Sequence, residues 1–214
     1  MDAASCYFVT LVRHGESVGN AENRHQGRAD FPLTARGQAQ ARALAERWKA
    51  EGRAFDLCLA SPLLRARQTA EILCAALSIP LEFDPSWMEI DVGLVSGLAE
   101  EQAAQVAPPP AFSTPYHRTG QTGESRWELY LRAGRGIQAL LDRPAGRYLI
   151  VAHGGILNMA LYAMLGIAPQ ANVQGPRFQF NNTTFATLIY EPYRHTWRLT
   201  AFQQPPDDPS RGAA

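Results

Sequence analysis

The chain has 214 residues, 46% of them hydrophobic and 19% charged, and its 20 basic and 20 acidic side chains give a formal net charge of zero. Such a composition reads as a soluble globular protein with a sizeable core, and the balanced charge provides no field to draw it to nucleic acid or to a membrane surface. No apolar run approaches the roughly 18 residues of a membrane span, and Met1–Ser5 has no basic-then-apolar leader, so a cytoplasmic protein is expected.

Ser5–Val12 is a mostly apolar run of β-formers, which predicts a buried first strand. Val18–Pro32 is polar and carries Gly and Asn, the composition of a loop. Thr34–Glu51 places Ala41, Leu44, Ala45 and Trp48 at helical spacing, with Thr34 as N-cap and Gly52 as the stop. Phe55–Ala60 predicts a second strand, Leu63–Leu77 a helix closed by Pro80, and Leu81–Phe83 a short strand. Gly97–Gly123 then breaks the rhythm. A short Ala/Gln-rich helix, Pro108-Pro109-Pro110 and a polar stretch with Tyr116, His117 and Arg118 mark a cap or lid inserted at about 98–123.

Regular structure returns with a helix over Glu124–Asp142, a strand over Arg147–Ala152 and a helix over Ile156–Leu165. Thr183–Tyr190 and Thr196–Phe202 read as two strands around Glu191–His195, a hairpin at the sheet edge that offers a surface to a second copy in a homodimer. The Pro-containing segment from Gln203 onward reads as a frayed tail. The expected fold is therefore a three-layer α/β/α sandwich with a mostly parallel central sheet, one domain over 1–203 and a disordered 204–214. Cys6, Cys58 and Cys74 are odd in number, widely spaced and set among apolar residues, as suits reduced core thiols better than disulfides or metal ligands.

The residues that carry chemistry follow the strands. His14 directly follows the first strand and His153 follows Arg147–Ala152, and each precedes a glycine. In an open α/β sheet, ligands bind beyond the carboxyl ends of parallel strands. Imidazole titrates near neutral pH and attacks without a separate base; the alternative for each histidine is a satisfied buried side chain. Arg13 reaches the same crevice only if the strand ends there, a change of direction that Gly15 permits. Ser61–Ala70 begins a helix with Arg65 in its first turn, where free N–H groups and a guanidinium suit an anion; spacing alone does not choose between Arg65 and Arg67. Glu89 stands among Trp87, Met88 and Ile90, an apolar setting expected to raise a carboxyl pKa as a general acid requires, with Asp91 as the competing carboxylate. A protonated His153 would add charge stabilisation.

Leu11–Ser17 (LVRHGES), Ser61–Ala70 (SPLLRARQTA), the Glu89 segment and Ala152–Gly155 (AHGG), in this order, closely resemble the histidine phosphatase superfamily, the phosphoglycerate mutase-like proteins. Asn20, Gln26-Gly27, Asp30, Pro32-Leu33-Thr34, Gly37 and Gln40-Ala41 add to the likeness. The resemblance implies that His14 attacks phosphorus to give a phosphohistidine while Glu89 protonates the leaving oxygen. It further implies a phosphate pocket of Arg13, Arg65 and His153, and substrate contacts from Gly15, Ser17, Asn20, Gln26, Gly27 and Gly154, with Asn20 donating to phosphate. No metal and no cofactor are implied, cationic side chains neutralising the charge. One departure is Leu94-Val95-Ser96-Gly97, where relatives commonly carry an aromatic-acid-Gly run; it bears on the pocket wall rather than the chemistry.

Tyr116, Arg118 and Arg126 are candidates to read the rest of the substrate from the cap, whereas His25, His117 and His195 read as structural or surface residues. The expected function is a metal-independent phosphomonoester hydrolase acting on a small phosphorylated metabolite, with no nucleic-acid or membrane partner. The alternatives are a phosphoglycerate mutase and a non-catalytic relative that binds a phosphoprotein. The short, Lys-poor, Pro-interrupted middle segment favours the hydrolase.

Overall fold

A computed structural model describes residues 6–204. Its strands are β1 (Tyr7–Arg13), β2 (Leu57–Ala60), β3 (Leu81–Phe83), β4 (Arg147–Ala152), β5 (Phe185–Glu191) and β6 (Thr196–Gln203). They form one sheet in the order β3-β2-β4-β1-β5-β6. The first four in that order are mutually parallel, and β5 and β6 run antiparallel as the expected edge hairpin. Six helices accompany them among the described residues: α1 (Val18–Ala21), α2 (Ala35–Ala50), α3 (Leu64–Leu77), α4 (Glu100–Val106), α5 (Arg126–Leu141) and α6 (Gly154–Leu165). None is long and apolar enough to cross a membrane.

The three layers follow from the period-2 alternation of side chains along each strand. Val9 and Leu11 of β1 and Ile150 of β4 join Leu129, Ala133 and Leu140 of α5 and Ile156 and Leu157 of α6 in one core. Their neighbours Val12, Leu149 and Val151 face Leu44 and Trp48 of α2 and Ala66 and Leu73 of α3 in the other. Because both faces of β1 and β4 are covered, these strands read as continuous apolar runs. Cys58 and Cys74 are buried and free, and Cys6 is half-buried and free.

Where observed bounds differ from expectation, a local hydrogen bond accounts for it. The expected loop after Ser17 contains the single turn α1, capped by Ser17 and Asn20 in a reciprocal box; four residues are too few to show periodicity. β2 begins at Leu57 rather than Phe55, since Phe55 packs against Trp48 with its ring tilted by 51° and Asp56 accepts the Arg147 N–H at 2.7 Å. α5 begins at Arg126 because Ser125 is its N-cap, paired with Glu128. α6 begins at Gly154, two residues early, and β5 begins at Phe185, because Thr183 turns with a φ of 58° and donates its N–H to Arg13 O. Gln203 belongs to β6 and the Gln204 amide bonds Asn181, Thr184 and Gln179, so the chain is ordered past the expected start of the tail. The remaining tail and the expected strand start at Ser5 lie outside the described residues.

The inserted segment contributes α4, which packs Ala103 on Val92 and Val95 as a separate small apolar cluster. A second stretch, residues 166–182 between α6 and β5, crosses the same end of the sheet and was not anticipated.

Candidate active site

Strand register assembles the site. Arg13 pairs with Ala152, and Ala60 with Val151, so β1, β4 and β2 end together at one sheet edge. His14, His153 and Ser61, the next residues, therefore emerge side by side, and the two imidazole centroids lie 5.1 Å apart. β1 does end at Arg13, and the Arg13 side chain turns into the same crevice, where its NH1 donates to Phe180 O at 2.7 Å.

His14 is 2% exposed. Its Nδ1 lies 2.6 Å from Gly15 O; a carbonyl can only accept, so Nδ1 carries the proton and Nε2 keeps its lone pair. The Arg65 Nε–H donates to that Nε2 at 3.3 Å. Burial, then the neighbouring Arg13 and Arg65, hold the imidazole well below its usual titration range, and so neutral. Gly15 cannot be larger, since a Cβ there would overlap Gly37 O, and its N–H donates to Thr69 Oγ1.

Arg65 enters from the first turn of α3 and is 1% exposed. It donates to Gly27 O at 2.7 Å and Ala29 O at 2.9 Å as well as to His14. Burial lowers it to about 10, opposed by the charges of Glu89 and Asp30, so it remains a cation at neutral pH. Arg67, the competing candidate, pairs outside with Glu71 and stacks on Phe83. His153 lies fully buried with Nε2 2.8 Å from Ser61 Oγ. Burial first, then Arg65, His14 and Arg13, push it well below its usual range. It is therefore neutral rather than the protonated group considered from sequence. Its Nδ1 and the Nε of Arg13 are buried with no hydrogen-bond partner among the described residues. The unmet Arg13 donor beside the neutral His14 imidazole suits an anion, since an unmet buried donor is costly.

Glu89 reaches the crevice from the loop after Trp87, but its carboxylate does not meet the apolar wall expected. It sits on the N-terminus of α6, accepting from Gly155 N at 3.0 Å, Ile156 N at 3.1 Å and Ile90 N at 3.0 Å. A Cβ on Gly155 would overlap Glu89 Oε1. Arg132 of α5 holds the loop from behind through Ser86 O, Met88 O and Glu89 O, and is itself paired with Glu124 at 2.7 Å. Asp91 faces away: its carboxylate accepts from Gly93 N and lies 3.8 Å from Arg28.

The remaining expected contacts divide. Gly154 lines the open cleft beside Arg13. Asn20 gives its Oδ1 to Ser17 N and Asn182 Nδ2, leaving its Nδ2 as the donating end. Ser17 is fully buried as the cap of α1, and Gln26 accepts the Ser17 hydroxyl and packs on Gly19, so both brace the entrance loop from behind. Gly27 has a φ of 48° and presents its carbonyl to Arg65. Sequence reading passed over Ser61, Thr69, Arg132 and Asn182, the last donating to His14 O at 3.1 Å. Ser61 and Thr69 stood within the marked segment Ser61–Ala70; nothing in spacing pointed to Arg132 or Asn182.

Above the pocket lies a cleft of about 1420 Å³. The inserted segment, α5, α6 and the 166–182 stretch wall it. Tyr116 is 66% exposed against Trp127 and lies off this lining, whereas Arg118 and Arg126 are on it.

Comparison with known proteins agrees with this geometry. The sequence profile of the histidine phosphatase superfamily (branch 1) matches residues 9–204, and the chain belongs to that superfamily. It is 35% identical over 192 residues to a Cronobacter sakazakii protein named "Probable phosphoglycerate mutase GpmB", covering 86% of this chain and 85% of that one. Among solved structures it is similar to YhfR of Bacillus stearothermophilus (TM-score 0.78, 28% identity, 91% of this chain and 95% of the other). It is also similar to the mycobacterial glucosyl-3-phosphoglycerate phosphatase Rv2419c solved with VO3 (TM-score 0.75, 25% identity, 90% and 96%).

Proposed function

We propose that this histidine phosphatase superfamily member is a metal-independent phosphomonoester hydrolase working through a phosphohistidine. The observation that carries the reading is His14 Nε2, the buried lone pair of a neutral imidazole set beside Arg13 and Arg65, with Arg13 Nε and His153 Nδ1 unmatched close by. The phosphoryl group would rest on these cations and donors, which stabilise charge as it spreads over the equatorial oxygens. Nε2 attacks phosphorus in line, a P–N bond forms and the P–O bond to the alcohol breaks. Glu89, in its acid form, gives its proton to the departing oxygen. In the second half, the Glu89 carboxylate takes a proton from water as that water attacks the phosphohistidine, releasing inorganic phosphate and restoring His14.

The mutase reading keeps specific support, the 35% identity to a protein named for that activity. A mutase must hold its phosphoenzyme away from water until transfer back is complete. The wide cleft over the pocket suits hydrolysis better. Phosphate release from a panel of phosphomonoesters and 3-phosphoglycerate, in EDTA and with His14→Ala as control, tests both. EDTA-resistant release that vanishes in the variant, with acid-labile phosphoenzyme trapped in the parent, is the expected result. Isomerisation of phosphoglycerate far exceeding release would replace the hydrolase by the mutase, and activity abolished by EDTA would sink the metal-independent mechanism.

A further inference from the structure

Two arginines in the cleft have no place in the phosphoryl chemistry. Arg126 is the first residue of α5, Arg177 lies between α6 and β5, and both line the cleft. Arg118, on the same lining, is already satisfied: it donates to Gly123 O at 3.0 Å and lies 3.5 Å from Glu128. Among the described residues, neither the Arg126 nor the Arg177 side chain forms an ion pair or a hydrogen bond. Arg126 is poorly placed for a protein on its own. A cation at a helix N-terminus opposes the helix dipole. Burial lowers its guanidinium pKa, Tyr162 opposes that shift, and the neighbouring charge of Arg177 adds to it.

Two spans locate this pair relative to the phosphate pocket. Along α6, Gly154 flanks the pocket, Asn158 stands about one turn on and Tyr162 about two, and eight residues of helix rise about 12 Å. The stretch Pro176–Phe180 runs back beside it, tied at each level. Tyr162 Oη donates to Pro176 O at 2.6 Å, Phe178 N to Asn158 Oδ1 at 3.0 Å, and Arg13 NH1 to Phe180 O at 2.7 Å. Four residues of chain reach at most about 14 Å, consistent with the helical span. Arg126 and Arg177 stand at the Tyr162 end, and Leu129, Met159 and Phe178 line the cleft with them as an apolar surface.

We propose that Arg126 and Arg177 bind a second anionic group of the substrate, a carboxylate or a phosphate, held roughly 10 Å from the transferring phosphorus across an apolar spacer. A three-carbon phosphoglycerate separates phosphorus from carboxylate by only about 5 Å, so the subsite selects a longer molecule. The inference rests on the phosphate-pocket reading above, and binding rather than turnover tests it.

Calorimetry with non-hydrolysable phosphonates is the experiment: alkylphosphonates of three to ten carbons, each with and without a terminal carboxylate, and α,ω-bisphosphonates of the same lengths. In the parent protein the terminal anion should tighten binding about tenfold or more, with the gain peaking near eight carbons. That gain should fall toward one in the Arg126→Gln/Arg177→Gln double variant and persist in Arg118→Gln. Whichever anion gives the larger gain identifies the natural group. No gain at any length, a gain greatest at three carbons, or a gain that survives the double variant would overturn the subsite. Failure of every phosphonate to bind the parent would instead remove the phosphate pocket, and this inference with it.

Discussion

The proposed phosphate pocket and the outer wall of the cleft are built in opposite ways. In the pocket nearly every side chain is held on several sides. His14 is fixed by Gly15 and Arg65, His153 by Ser61, and Glu89 by three backbone N–H groups with Arg132 behind it. These groups sit at the ends of paired strands and in first helical turns, where backbone geometry is set by the whole sheet. On the wall, Arg126 and Arg177 stand unpaired, Pro108, Pro109 and Pro110 cannot join a backbone ladder, and Tyr116 is largely exposed. A rigid constellation suits a reaction common to many phosphomonoesters. A loosely tied wall suits the choice among them, since its side chains change without disturbing the reacting atoms.

Variants can break or sharpen that contrast. His14→Ala should lower turnover of every phosphomonoester by about 10⁴-fold or more while leaving the thermal transition nearly in place, because the proposed nucleophile is removed. A substrate that escapes the loss would break the division between a common pocket and a selective wall. Glu89→Gln should cost alkyl phosphates about 10²- to 10⁴-fold and aryl phosphates much less, since an activated leaving group needs little protonation; steady-state rates on matched pairs decide it. Arg132→Ala removes the group that holds the Glu89 loop and leaves Glu124 without its partner. It should destabilise by about 3 kcal/mol in urea unfolding and lower kcat about tenfold with little change in KM, the signature of mispositioning rather than lost binding.

The smallest effect is on stability against pH. His14 and His153 are held neutral in the fold, below the ordinary 6.5 of the unfolded chain. Below about pH 6.5 the unfolded chain therefore binds more protons than the folded one, so stability is full above that pH and declines as pH falls through it. His153→Asn should flatten the fall in Tm between pH 7.5 and 5, whereas Arg126→Gln on the wall should leave that slope intact. Equal slopes in His153→Asn and the parent would show that His153 is not held neutral.

The fold was legible because its signals are local. Apolar runs before His14 and His153, helical spacing in Ala35–Ala50 and Leu64–Leu77, and the Thr34 cap all report structure within a few residues. Strand pairing is not local, yet the order of elements limited it, and the motif order identified the family. Errors clustered where one hydrogen bond sets an end, as at Ser125 for α5 and Glu89 for α6. Ser17 and Gln26 show the same limit in the site. Their types and positions fit an entrance contact, but a capping box and a side-chain pair turn them inward.

What the sequence by itself determined is the α/β class and the superfamily, because runs and motifs announce themselves through their immediate neighbours; the candidate set His14, Arg13, Arg65, Glu89 and His153 came from the resemblance, spacing alone leaving Arg67 and Asp91 as competitors. Tertiary structure alone decided the tautomer of His14, the neutrality of His153, the seat of Glu89 on the α6 N-terminus and the two free arginines of the cleft. All of these depend on which distant groups approach within a few ångströms. Burial and charge proximity are properties of packing, and no window of residues along a chain contains them.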